Sequence, residues 1–193
     1  LDRYHARVIF PVQTVSGMTV AFGGRTLSAD KKVAKYVNSP ESEIYSKSRE
    51  LYGLYLAKHA IVKQNRCYLV EGYMDVIAMH QSGIENVVAS SGTSLTEGQI
   101  RLIHRFTDNI TVLYDGDSAG IHASLRGIDM LLAEGLNVKV LLLPDGDDPD
   151  SFARKHSAAD FQNYVETRQV DFIRFKTRLL LNDAADDPVK RAS

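Results

Sequence analysis

An α/β protein built on a parallel β-sheet is what this chain predicts, and three observations carry that reading. Strand-length apolar runs alternate with helical stretches from Cys67 to Leu143. The runs are continuous rather than alternating, as expected of strands covered on both faces. Each run also ends in polar or acidic residues, and in parallel sheets ligands gather beyond the carboxyl ends of the strands. With 193 residues there is room for one core and a smaller appendage.

In order along the chain, Arg7–Thr14 and Thr19–Phe22 read as two strands joined through Ser16-Gly17, with Gly23-Gly24-Arg25 closing the second. Ser39 as N-cap, Pro40 at the first position and Glu41 in the first turn predict a helix from Pro40 to Val62, broken near Gly53. The sheet strands are expected at Cys67–Val70, Asn86–Ser90, Ile110–Tyr114 and Val138–Leu143. Helices fill the gaps at Met74–Gln81, Thr96–Phe106 and Ala119–Glu134; Ser94 and Glu97 form a capping box for the second, and Gly135 stops the third. Beyond Asp150, Ser151–His156 and Ala159–Thr167 read as short helices and Val170–Leu181 as a longer amphipathic one bearing Phe172, Phe175, Leu179 and Leu180. The expected division is 1–66 for a small mixed α+β basic subdomain, 67–157 for the sheet domain and 158–193 for the start of a helical bundle.

Charge is distributed unevenly. Residues 1–66 hold 11 Lys/Arg against 5 Asp/Glu, a balance of +6, whereas residues 67–150 hold 4 against 13, a balance of −9. The remaining segment is +2. A basic module ahead of an acidic one predicts a polyanion on the first and cations on the second. No apolar run approaches the roughly 18 residues that span a bilayer, which predicts no membrane partner. Cys67 is the single cysteine, so an internal disulfide and a cysteine-rich zinc site are excluded. A reducing, cytoplasmic location fits. The opening Leu1 in place of Met predicts a piece of a longer chain.

TVLYDGDSAG, Thr111 to Gly120, poses the chemical question. Asp115 and Asp117 alternate on one side of an extended chain, and two carboxylates so close repel unless a cation or a proton intervenes. A tight turn explains that pair taken alone. Two further strand ends add acids: Glu71-Gly72-Tyr73-Met74-Asp75 after Val70, and Asp145-Gly146-Asp147-Asp148-Pro149-Asp150 after Leu143 and Pro144. Turn chemistry accounts for one such end and not for three on one sheet edge. Hard divalent ions with oxygen ligands are the natural partners, Mg²⁺ above all, with Mn²⁺ able to substitute. Zinc is not expected.

These motifs resemble, in this order, a TOPRIM domain, and more closely the RNA-polymerase core of bacterial DnaG-type primases. The likeness rests on VEGYMDV (Val70–Val76), ASSGTSLT (Ala89–Thr96), YDGDSAG (Tyr114–Gly120) and LPDGDDPD (Leu143–Asp150). It rests equally on the front motifs RVIFPV (Arg7–Val12), FGGR (Phe22–Arg25), KYVNSPE (Lys35–Glu41) and RELYGLY (Arg49–Tyr55). The resemblance implies a TOPRIM parallel sheet with flanking helices and DNA-templated synthesis of short RNA primers from ribonucleoside triphosphates. It implies Glu71 as acid/base or metal-facing residue, Asp115, Asp117, Asp148 and Asp150 as metal ligands, and Asp75 and Asp145 as helpers. Arg7, Arg25, Lys35, Tyr36, Asn38 and Lys47 match the basic wall of a template and nucleotide groove. A single-stranded DNA template, a replicative helicase bound through a C-terminal domain outside this segment, a monomeric state and a bacterial cytoplasmic location at the replication fork follow from the same likeness.

The residues ask for the same division of labour. Transfer to a phosphorus centre is mostly positioning and charge neutralisation, so metal ligands matter more than a covalent nucleophile. Glu71 is either a proton acceptor or a ligand only. Arg25, after two glycines, can offer a bidentate guanidinium to phosphate; its alternative is a surface ion pair. Tyr36 taken alone suits core packing as well as base stacking. Two other classes stay open: a TOPRIM nuclease or topoisomerase, and a catalytically silent nucleic-acid-binding module.

Overall fold

The computed structural model describes residues 2–30, 32–92, 94–114 and 127–185. Asp115 and Asp117, and the start of the helix expected from Ala119, lie outside the described residues. So do the side chains of Asp145, Leu179 and Leu180.

The front module is a three-stranded antiparallel sheet of β1 (Arg7–Gln13), β2 (Thr19–Thr26) and β3 (Tyr36–Asn38), in that order. β1 and β2 alternate, so that Phe10, Val12 and Ala21 turn inward while Ile9, Pro11 and Phe22 face out. A sheet this small has too little core of its own. Its buried face is closed by Tyr45 and by Tyr73, which enters from the second module.

The helix expected over Pro40–Val62 is a correction. Residues 40–53 hold a single 3₁₀ turn at Lys47–Arg49, and the helix α1 runs only over Leu54–Gln64. Ser39 does not cap a helix because its hydroxyl serves the small sheet, accepting from Phe22 N–H at 3.0 Å and pairing with the Tyr4 hydroxyl at 2.8 Å. Gly53 then sets the helix start in a left-handed conformation, φ +85°.

The second module is a five-stranded sheet in the order β5-β4-β6-β7-β8. Strands β4 (Cys67–Val70), β5 (Val87–Ala89), β6 (Asn109–Tyr114) and β7 (Asn137–Leu142) are parallel. β8 (Val170–Asp171) adds antiparallel to β7, an edge strand that the tail's amphipathic pattern concealed. Helices α2 (Tyr73–Gln81), α3 (Glu97–His104), α4 (described over 127–133), α5 (Pro149–Lys155), α6 (Ala158–Thr167) and α7 (Phe172–Ala185) complete the layers.

Both faces of the sheet are buried. Cys67, Leu69, Ile110, Val112, Val138 and Val140 pack with Leu54, Ile61, Ile100, Ile103, Ile128, Leu131 and Phe172. Tyr68, Val70, Leu113 and Leu141 pack with Val76, Met79, Phe152, Phe161 and Val165 on the other face. Alternate residues of one strand thus enter different cores, which is why the strands read as unbroken apolar runs. The outer edge of β5 is paired with Tyr52, which exchanges backbone hydrogen bonds with Ala89 at 2.9 and 3.0 Å.

Helix α3 starts later than its expected capping box. Thr96 and Gln99 make the reciprocal bonds, at 3.3 and 3.2 Å, rather than Ser94 and Glu97. Gln99 wins because its buried amide also donates to the Lys47 and Glu50 carbonyls at 3.0 and 2.9 Å. Gly135, φ +86°, stops the segment after α4 as expected.

Gly23 lies on β2 against Tyr73: a Cβ there would come within 2.5 Å of Tyr73 Cζ. That ring is buried and has nowhere to move. Gly23→Ala is expected to destabilise the protein by about 1–3 kcal/mol, read as a fall of roughly 3–10 °C in Tm by thermal denaturation.

Candidate active-site cleft

After β4 the chain crosses to β5 on one side and then returns to β6 on the other, so the sheet's switch point lies at the carboxyl ends of β4 and β6. A cleft of about 290 Å³ opens beside it, between the sheet and the front module. Three strand-end segments contribute: Glu71 to Asp75 after β4, Ser91 and Gly92 after β5, and Asp148 and Asp150 after β7. Arg25, Lys35, Tyr36 and Asn38 form the facing wall from β2 and β3. The structure therefore brings together Glu71, Asp75, Asp148, Asp150, Arg25, Lys35, Tyr36 and Asn38 of the expected residues.

Tyr36 reports the field between the two walls. Its hydroxyl pKa is raised, first by burial; the Arg25 guanidinium opposes that, and the carboxylates of Asp75, Asp150 and Asp148 add to it. A cation and three anions thus act on one phenol, as the charge layout of the sequence predicts. The Lys35 ammonium lies 6.0 Å from the Tyr36 ring centroid.

Each acid is held differently. Asp75, in the first turn of α2, accepts from Gly72 N–H at 2.9 Å, which orients the loop that carries Glu71. Asp148 is the N-cap of α5, accepting from Ser151 N–H at 2.6 Å. Asp150 pairs with Arg154 at 3.0 Å. Asp147 turns inward: it is 5% exposed and bonds to the Lys155 ammonium and the Ser151 hydroxyl at 2.6 and 2.7 Å. These partners lower its carboxyl pKa, Lys155 first. Asp147 is an anchor that sequence reasoning passed over, because nothing in an Asp-Asp-Pro-Asp run says which acid is buried.

Two expected basic residues stand outside the cleft. Arg7 is spent on the front module, its guanidinium donating to the carbonyls of Gly24, Ala34 and Lys35 at 3.1, 2.9 and 3.4 Å. Lys47 sits in the 3₁₀ turn and does not line the cleft. Tyr73 and Met74 of the first sheet-domain motif line it as well, together with Ser91 and Gly92 of the ASSGTSLT stretch, which lies ahead of a helix N-terminus. Tyr73 and Met74 were legible only as parts of a motif. Ser91 adopts a left-handed backbone, φ +59°, which a serine does not announce.

The donors suit a hard cation. Glu71, Asp148 and Asp150 offer carboxylate oxygens, and among the described residues no histidine or cysteine lines the cleft. Among the described residues no three of His, Cys, Asp or Glu converge closely enough to hold an ion by themselves. A cation bound here would need ligands beyond these.

A parallel sheet with acids at its strand ends, roofed by a small basic sheet, defines a Toprim-type protein, and residues 68–153 match the family described as Toprim-like, a metal-binding fold in primases. Residues 1–58 match the N-terminal domain of the DNA primase catalytic core. The chain belongs to the bacterial DnaG-type primase family, as a segment of its catalytic core. It is 48% identical over 177 residues to the DNA primase of Halalkalibacterium halodurans, covering 92% of this chain and 29% of that protein. A solved DnaG primase catalytic domain bound to single-stranded DNA superposes with a TM-score of 0.85 at 40% identity, covering 94% of this chain and 57% of that one. The RNA polymerase domain of Mycobacterium tuberculosis primase gives a TM-score of 0.85 at 35% identity, with 94% and 61% covered. This chain therefore spans less than a third of the length of the curated primase it matches.

Because the Asp147 pKa is depressed, its stabilising contribution is present above the ordinary aspartate pKa of about 3.9 and is lost as pH falls through the lower folded value. Acid titration of wild type and Asp147→Asn should show this: the variant is less stable at pH 7 and the difference between the two closes below about pH 4.

Proposed function

We propose that the chain is the nucleotidyl-transfer portion of a primase, making short RNA primers on a single-stranded DNA template from ribonucleoside triphosphates. The observation that carries this reading is the single cleft in which Arg25, Lys35, Tyr36 and Asn38 face Glu71, Asp148 and Asp150. Tyr36, Tyr73 and Ser91 also line the cleft, so strand cleavage is separated from synthesis by the products of the test below. A silent binding module would have no use for carboxylates facing a polyanion, since they repel it.

Arg25 and Lys35 hold phosphate oxygens of the triphosphate or template, binding without reading sequence. Tyr36 supplies a ring face for a base. Glu71, exposed at the end of β4, takes the proton from the primer's 3′ hydroxyl or holds the cation. Asp148 and Asp150, joined by Asp115 and Asp117, would hold Mg²⁺, with Mn²⁺ as substitute. That ion, when bound, neutralises charge developing on the transferring phosphoryl group. The residues order the rest: oxygen as attacking atom, pyrophosphate as leaving group, both walls of the cleft aligning them. Residues 1–66 are read as the groove wall, 67–157 as the Toprim unit and 158–193 as the beginning of a helical segment. Helicase contact and a place at the bacterial replication fork belong to the complete protein.

The test is primer synthesis by the complete protein on single-stranded DNA with ribonucleotides and Mg²⁺. Labelled RNA of short length is expected; nicked DNA would favour the nuclease class, and retention of DNA without product the binding module. Glu71→Gln and Asp148→Asn should each lower the rate by roughly 10²-fold or more. Chelation should abolish synthesis and Mn²⁺ restore it. Arg25→Ala should weaken DNA binding evenly across sequences and reduce the slope of log K against log salt by about 1.

A further inference from the structure

Asn38 lines the cleft, and its amide can be oriented without ambiguity. One end lies 3.4 Å from the Ser91 carbonyl, which only accepts, so that end is Nδ2. Oδ1 therefore faces Tyr73, whose hydroxyl donates to it at 2.9 Å. An amide nitrogen carries two hydrogens. The Ser91 carbonyl takes one, through a long bond, and the other belongs to an amide on the cleft wall. The short bond from Tyr73 is what holds this polarity.

Tyr73 is built to stay in place. It is 3% exposed, stacked on Phe10 at 4.9 Å and 7°, with the edge of Tyr52 against it at 4.7 Å and 88°. In the β2–β3 register Gly23 stands opposite Asn38, and only a residue without a side chain leaves room there for the Tyr73 ring to reach across. From this buried position the Tyr73 hydroxyl donates to Asn38. The Ser91 hydroxyl is closed off from solvent and has no hydrogen-bond partner among the described residues. Tyr73 also sits two residues after Glu71, so one rigid ring links the acidic loop to a donor on the basic wall.

We infer that Tyr73 is a positioning residue that acts through Asn38, fixing its amide so that an N–H donor, and never the carbonyl oxygen, is presented to an acceptor oxygen of the bound nucleotide. The inference rests on the reading of the cleft as a nucleotide site. Such an arrangement favours phosphate and sugar oxygens, and it disfavours a flipped amide, which would aim its own oxygen at the same anion.

The experiment is a double-mutant cycle on nucleotide binding by the complete protein, with Mg²⁺ and ATP, 2′-deoxy-ATP or tripolyphosphate as probes and calorimetry as readout. Tyr73→Phe keeps the ring and removes the donor; circular dichroism checks that the fold is retained. It should weaken ATP binding roughly three- to tenfold, the span of one hydrogen bond. Asn38→Ala should do the same, and Asn38→Asp, which replaces the N–H by an oxygen, should do worse. In the Asn38→Ala background, Tyr73→Phe should add less than about twofold, because its effect travels through the amide. Losses that multiply, or no loss from Tyr73→Phe, would overturn the inference while leaving the nucleotide site standing. A loss shared by tripolyphosphate assigns the acceptor to a phosphate oxygen, and one confined to ATP, absent with 2′-deoxy-ATP, to the ribose. Wild-type protein that binds none of the three probes would remove the nucleotide reading and this inference together.

Discussion

The stacking of Tyr73 on Phe10 is the contact on which the arrangement depends. A three-stranded sheet with one buried face cannot close its own core, and Tyr73 arrives from the first turn of α2 to fill it. Since Glu71 immediately precedes that turn, burying the ring also sets the distance between the acidic strand end and the basic wall. Gly23 is the complement on the other side, a position where the absence of a Cβ is the structural requirement. Packing energy and site geometry are here the same interaction.

Around that joint the charges divide their work by burial. In Asp147-Asp148-Pro149-Asp150, Asp147 is inward and neutralised by Lys155, Asp148 caps α5, and Asp148 and Asp150 both line the cleft. One loop is thereby anchored by one acid and presents two others to the cleft. Arg7 shows the same economy on the basic side: its guanidinium binds three carbonyls and braces Ala34 and Lys35, the residues leading into β3, while Arg25 lines the cleft. Like residues in one motif thus have unlike roles, decided by which way the backbone turns them.

Legibility followed burial symmetry. The four parallel strands could be read because both faces are covered, which leaves an unbroken apolar run in the sequence. The helix expected from Pro40 failed where a local signal had a distant competitor: Ser39 is a sound N-cap in isolation, but Phe22 N–H and the Tyr4 hydroxyl occupy its side chain. The same competition moved the start of α3 from Ser94 to Thr96, because Gln99 has buried carbonyls to satisfy. β8 is two residues long and borrows its pairing from β7, so no periodicity could show it. In the cleft, Glu71, Asp148, Asp150, Arg25, Lys35, Tyr36 and Asn38 could be given roles from motifs; Ser91 and Tyr73 stand in motifs too, but a left-handed serine and a bridging hydroxyl leave no pattern that assigns them one.

The order of apolar runs and acidic strand ends was enough to determine a parallel α/β fold, the sheet edge where the cleft opens and the opposed charge of its two halves, because these depend on side-chain periodicity and residue type alone. Which acids line the cleft, which basic groups stand opposite them, and how Asn38 is turned were decided only by tertiary structure. Those outcomes are set by hydrogen bonds between segments far apart in the chain, such as the bond from Tyr73 to Asn38, and each depends on partners that local sequence does not contain.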